Sequence, residues 1–350
     1  MKTQLTLRQV LPQLQEDDAR TLNALEGATG SNSPWYVRFF IGLSAWIAAI
    51  LLIAFLVIAR ILTSEQGALF IGFFFCAIAV GINRLSPRND FMRQLGLALS
   101  LAGQALLILG LALVVKNTIG VALMVIVLES VLLLLFRDRV HRFLSTVIIV
   151  AAIVTIIFDL QMFEAIHILI GALAGAMILL FWRENDLLSA GMQEFLYPVS
   201  FGIVVSLLGL LILPLSTPLF GMFQIEWWWL SAVLLFTVLL FLIVLVARGL
   251  GVALLSWQLI GLLLVCAVLV IPATRMPGIL GALILLVLGF WRNHRALTGL
   301  AGVFLVFYIG AYYYTLEWTL LQKSLALLAS GILLLALRIA LLRTRKASAT

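Results

Sequence analysis

Apolar runs separated by short polar or Gly/Pro-bearing breaks recur along the chain. They lie at about 39–60, 67–83, 94–115, 118–136, 143–160, 164–182, 195–213, 228–247, 252–271, 277–291, 297–314 and 320–342. Most approach the ~20 residues that a helix needs to cross a bilayer. The pattern predicts an all-α polytopic membrane protein of about twelve transmembrane helices. Internal Gly and Pro are tolerated because neighbouring helices and bent backbone re-satisfy the freed polar groups. The run at 277–291 is the shortest.

Residues 1–38 read as a cytoplasmic tail, 39–342 as the transmembrane domain and 343–350 as a basic cytoplasmic tail. In the first tail Leu11, Leu14, Leu22 and Leu25 mix with Glu16, Asp17, Asp18 and Arg20, which predicts a short amphipathic surface helix before a flexible link. The first apolar run is too long for a signal-peptide core and has no cleavage site, so it is expected to stay as a membrane helix. The longest connection, Pro214 to Trp227, is itself apolar, and no loop has room for a catalytic or nucleotide-binding domain.

Composition agrees with the pattern. Hydrophobic residues make up 64% of the chain and charged residues 11%, outside the range of soluble domains. Cys76 and Cys266 lie inside apolar runs and read as packing residues. The net charge of +7 does not form a stripe for nucleic acid, because Lys and Arg punctuate the ends of the runs. Counted loop by loop with the N-terminus inside, eighteen fall on one face and four (Arg60, Lys116, Arg275 and Lys323) on the other. The positive-inside rule then places both termini in the cytoplasm.

A shift of 155 residues lays Arg93 on Arg248, Arg137 on Arg292 and Arg183 on Arg338, and carries runs one to six onto seven to twelve. That offset suggests two parallel six-helix repeats related by an axis along the membrane normal.

Residues able to carry chemistry are few. Glu129 stands near the centre of the fourth run, where an ionisable side chain is a functional-site hypothesis by default. Gln104 is almost as far before the Lys116–Asn117 turn as Glu129 is after it, so an antiparallel hairpin sets both at one depth. Burial there favours a protonated Glu129 hydrogen-bonded to Gln104. Its functional form is a proton-carrying carboxyl in a transport path. Gly96, Gly103 and Gly110, and the pair Gly171 and Gly175, read as close-packing seams. Asp159, Glu164 and His167 bracket one turn, with Glu164 and His167 on one helix face. Interface charges bonded to headgroups are the favoured reading there over a metal site. The aromatic stretch Pro214 to Trp229 should lie flat at the outer interface, as an aromatic belt or a docking surface.

The last connection holds a further candidate. Thr319 to Gln322 has the form of a capping box, and Lys323 then falls in the first helical turn, where the macrodipole disfavours a cation. Lys323 needs a partner, for which Glu317 is the nearest acid in sequence. No Walker A, nucleophile elbow, GxGxxG or redox CxxC is present, so no catalytic residue, cofactor or metal is assigned.

The segments SPWYVRFFIGLSAWIAAILL (Ser33 to Leu52) and YYYTLEWTLLQKSLALLASGILLLALR (Tyr312 to Arg338) resemble the two ends of a bacterial membrane-protein family known as domain of unknown function 4401. The likeness implies a bacterial inner-membrane protein with no established activity. It also implies a neighbour in the form of a small membrane-anchored protein with a GDYxxLxY motif, and it draws attention to Thr319, Lys323 and Ser324. Together these readings favour a non-enzymatic membrane subunit, associated with lipid and docking a partner at an outer rim that includes Glu317, Thr319, Lys323 and Ser324. The alternative is a secondary transporter or lipid-handling carrier using Glu129.

Overall fold

The computed structural model describes residues 35–58, 64–85, 90–189, 191–220, 225–251 and 276–315, with scattered positions between 321 and 335. The described chain is helical and without strands. Its helices are α1 (Trp35–Ile58), α2 (Glu65–Leu85), α3 (Asp90–Val115), α4 (Thr118–Leu135), α5 (Arg139–Asp159), α6 (Ala165–Trp182), α7 (Glu184–Ser189), α8 (Gln193–Phe220), α9 (Trp228–Gly249), α10 (Pro277–Trp291) and α11 (Arg295–Thr315). Seven of them, α2 to α6, α8 and α9, are long and apolar enough to cross a membrane. This fits a polytopic membrane protein.

Local chemistry sets the turns. Asn117 caps α4, its side-chain oxygen accepting from the Gly120 amide at 3.0 Å. Asp138 caps α5 through the Val140 and His141 amides at 2.9 and 3.1 Å. Each cap satisfies first-turn donors that have no carbonyl within their own helix. Pro277 opens α10, where its missing N–H costs nothing. Large apolar side chains remain exposed on the helix flanks, among them Phe70 at 76%, Leu134 at 71% and Val306 at 74%. In water such a surface would be a liability, whereas in a bilayer it is the lipid-facing side.

The chain forms two compact units, divided within α3 between Leu107 and Ile108. In the first, α2 and α3 meet through glycine. A Cβ on Gly72 would lie 2.8 Å from the Gly103 carbonyl oxygen, and one on Gly103 would lie 2.8 Å from Cys76 Sγ. Gly103 therefore serves as the close-packing residue its sevenfold spacing predicts, and Cys76 is a buried packing residue beside it. Without a hydrophobic drive between helices in lipid, this close approach is what holds the pair.

In the second unit α8 is the central helix, packed against α5, α6, α10 and α11, while α4 pairs with α5 and α9 lies on α6 and α10. Its Leu207 and Leu211 are fully buried together with Leu235, Leu285 and Tyr308 in one core. A Cβ on Gly171 would lie 3.3 Å from the Leu234 side chain of α9, but one on Gly175 would meet nothing within 4 Å. The expected GxxxG seam is corrected to a single glycine contact.

Two other expectations change. The stretch from Pro214 does not begin as a flat loop, because α8 continues to Phe220. Membrane helices carry proline where neighbours compensate the lost bond. The one-and-a-half-turn helix α7 lies where only a break was expected. The run 252–271, the N-terminal tail and most of the last run lie outside the described residues.

Candidate functional site

Among the described residues four buried polar groupings stand out from the apolar helices, three of them built on the chain's three histidines. The most closely connected lies at the end of the helices that carries Lys116, Asp159 and Glu226. Glu164 precedes α6 and His167 follows one turn later, so both side chains share a face. His167 Nε2 lies 2.8 Å from Glu164 Oε2 and 2.9 Å from the Glu226 carbonyl oxygen. Its Nδ1 lies 2.7 Å from Ser231 Oγ on α9. Two acceptors face Nε2, so that nitrogen carries a hydrogen. In the neutral ring Nδ1 then accepts from the Ser231 hydroxyl. The Glu226 amide donates to Glu164 Oε1 at 3.4 Å, and the Trp228 ring stands edge-on to the imidazole at 5.0 Å.

These bonds strap residues 226–231 onto α6. Between the two strapped positions Trp227 takes a left-handed backbone, φ 47°. For so bulky a side chain this is an outlier that costs about 1–3 kcal/mol and persists only where neighbours over-determine it. The result is a fixed display, with Trp227 56% and Trp229 52% exposed on either side of the inward-turned Trp228. The order Ser–His–Glu resembles a hydrolytic triad, but His167 and Ser231 are both wholly inaccessible. The hydroxyl cannot reach a substrate, so the series acts as a lock. The expectation of a headgroup-bonded charge is corrected for His167, which is buried and bonds to Glu164, the Glu226 carbonyl and Ser231. No group of three metal-ligating side chains occurs among the described residues.

The second grouping, at the arginine-rich end, joins α7 to the α10–α11 turn. Arg292 donates to Glu184 Oε2 through Nε at 3.0 Å and makes a 2.9 Å ion pair through its terminal nitrogen. That nitrogen also donates to Asn185 at 3.0 Å. Tyr197 donates to Glu184 Oε1 at 3.0 Å, and His294 Nε2 lies 3.3 Å from the same oxygen. Burial raises the Glu184 pKa, but the bonds from Arg292, Tyr197 and His294 outweigh it and hold the carboxyl below its ordinary range.

The third grouping is the α4–α5 hairpin. Glu129 continues the buried stripe Ala122, Val125, Glu129, Leu132 of α4 and is 0% exposed. Neither of its carboxyl oxygens makes a hydrogen bond. The Ser145 hydroxyl of α5 stands beside the carboxyl without closing one, and lies 3.3 Å from His141 Nδ1. His141 stacks on Phe136 with centroids 4.0 Å apart. Next to it Arg142 ties the turn to the start of α8 through the Glu194 carbonyl at 2.9 Å. The fourth grouping, Gln104 with Ser100, lies in the first unit, where the Gln104 amide donates to Ser100 Oγ at 3.3 Å. A buried carboxyl without a partner can be replaced by an apolar group at little cost. Accordingly, Glu129→Gln and Glu129→Leu should both fold, the leucine variant with an equal or higher thermal midpoint in detergent. A loss above ~2 kcal/mol in either would show that the carboxyl is bonded in the membrane.

At the last connection, Glu317, Thr319 and Lys323 lie outside the described residues. Ser324 is helical, its hydroxyl donating to the Leu321 carbonyl at 2.9 Å.

Long apolar helices, close glycine packing between α2 and α3, and buried polar ties fit a multi-helical protein of the membrane-embedded class. The chain belongs to a family described as Domain of unknown function (DUF4401), which matches residues 34–344. No curated protein and no solved structure matches it.

Proposed function

We propose that this chain is a non-enzymatic subunit of a bacterial inner-membrane complex, with both termini cytoplasmic and a partner docked at its outer rim. The observation that carries this reading is the strapped tryptophan pair. A strained backbone held by a buried histidine lock keeps Trp227 and Trp229 exposed in one arrangement. Rigid, exposed aromatic side chains are efficient docking anchors because little side-chain entropy is lost on binding. In this reading Glu317, Thr319, Lys323 and Ser324 belong to the same rim, and the small membrane-anchored protein with a GDYxxLxY motif is the expected partner.

A transport role keeps one supporting observation, the unpartnered carboxyl of Glu129. Twelve crossings in two parallel six-helix repeats would suit either role. Reporter fusions after Lys116, Phe220 and Leu316 should report outside, and fusions after Arg139, Asn185 and Asn293 inside. Any two reversed signals would remove the outer rim. Trp229→Ala should leave folding intact and lower recovery of a co-purifying protein severalfold. Equal recovery of every bound component from Trp229→Ala and wild type would remove the docking reading.

A further inference from the structure

Beside the α4–α5 hairpin two clefts adjoin in the second unit. The narrower, about 330 Å³, is walled by Ile108 and Ala112 of α3, Val121 and Val125 of α4, and Ile148 and Ala151 of α5, with Lys116 at its mouth. The wider, about 750 Å³, is lined by Phe158, Asp159 and Phe163. Thr118 and Thr155 line both, so the two share one rim.

The narrow cleft runs from the helix ends inward over two turns of α4, about 10 Å at 1.5 Å per residue. Its volume is roughly eleven times the ~30 Å³ of one water in the liquid, and a methylene group is of similar size. An apolar slot of that length and volume suits most of one acyl chain. The adjoining clefts bring opposite charges, Lys116 lining the narrower and Asp159 the wider. Lys116, held at φ 50°, and Asp159 are both exposed and form no ion pair among the described residues. A purely anionic headgroup would meet Asp159 unfavourably, whereas a headgroup with both charges satisfies both sides. Phe158 and Phe163, edge-to-face at 5.4 Å, add aromatic surface beside Asp159 that attracts a cation.

We propose that these clefts hold one zwitterionic phospholipid, its acyl chain between α3, α4 and α5, its phosphate at Lys116 and its ammonium at Asp159. The proposal is independent of the docking reading, which rests on the strap at His167 and Trp227.

The test is native mass spectrometry of the full-length protein released from bilayers of equal phosphatidylethanolamine and phosphatidylglycerol. Wild type should retain one phosphatidylethanolamine, favoured about tenfold over phosphatidylglycerol. Lys116→Met should lower its retention about tenfold. Asp159→Asn should abolish the preference between the two lipids, and Ala151→Phe, which fills the slot, should reduce retention of both. Should Ala151→Phe fail to fold, the two charge variants, which alter exposed side chains only, decide the question. Equal retention of the two lipids by wild type would overturn the proposal, as would unchanged retention in both charge variants. Cross-linking of a polypeptide to a cysteine placed at Ala151 would also overturn it, by showing a different occupant.

Discussion

Replacing His167 with alanine should be the most damaging single change among the described polar groups. It strands the Ser231 hydroxyl, the Glu226 carbonyl and one oxygen of Glu164, and leaves a void beside Trp228. Each stranded buried group costs about 1–3 kcal/mol, less where a neighbour or lipid headgroup re-pairs it, so a total near 3 kcal/mol is expected. The two amide replacements separate the bonds. Glutamine can place a donor near Nε2 and keep the strap to Glu226, whereas asparagine can only approach the Nδ1 position toward Ser231. Hydrogen exchange at residues 226–230 should therefore be slow in wild type and His167→Gln, and fast in His167→Asn and His167→Ala. Slow exchange in all four would show that the α9 entry is held by something other than His167.

The second large effect is expected at the opposite end. Arg292→Met removes two nitrogens bonded to Glu184 and leaves a mostly buried carboxylate facing Tyr197 and His294 alone. Breaking a fully buried pair costs ~3–5 kcal/mol. This one lies near the surface and is partly screened, so about 2 kcal/mol is expected. Lysine should rescue only in part, since it cannot present two parallel donors. The pH dependence follows from the direction of the shift. The folded carboxyl ionises below its ordinary value of 4.5, so the clamp contributes fully above that pH and is lost as pH falls through the folded value. The advantage of wild type over Glu184→Gln, read as thermal midpoint in detergent, should be present at pH 7, begin to fall near 4.5 and vanish only below the lowered folded value. An advantage that persists unchanged there would assign the stability to packing instead.

Much of the fold was legible because membrane helices announce themselves by length and apolarity. The described helices follow the predicted runs closely from Glu65 onward, and Asn117 and Asp138 cap where a polar break meets an apolar run. The continuation of α8 past Pro214 was not legible, since proline reads as a break unless the neighbours that compensate it are known. The sites divide in the same way. Glu129 was visible as a lone acid in an apolar run, and the spacing of Glu164 and His167 put them on one face. Their bonding partners Ser231 and the Glu226 carbonyl lie some sixty residues away, and no local pattern points to them. The Glu184–Arg292 pair spans a still longer separation between two stretches that each look like an ordinary interfacial loop. Tertiary pairing of this kind leaves no periodicity to read.

The claim that the strapped rim docks a partner is tested most directly by a photo-crosslinking benzophenone side chain placed at Trp229 in living cells. The account predicts one discrete protein adduct, lost when His167→Ala releases the strap. Adducts to lipid alone, or the same protein adduct with and without His167, would contradict it.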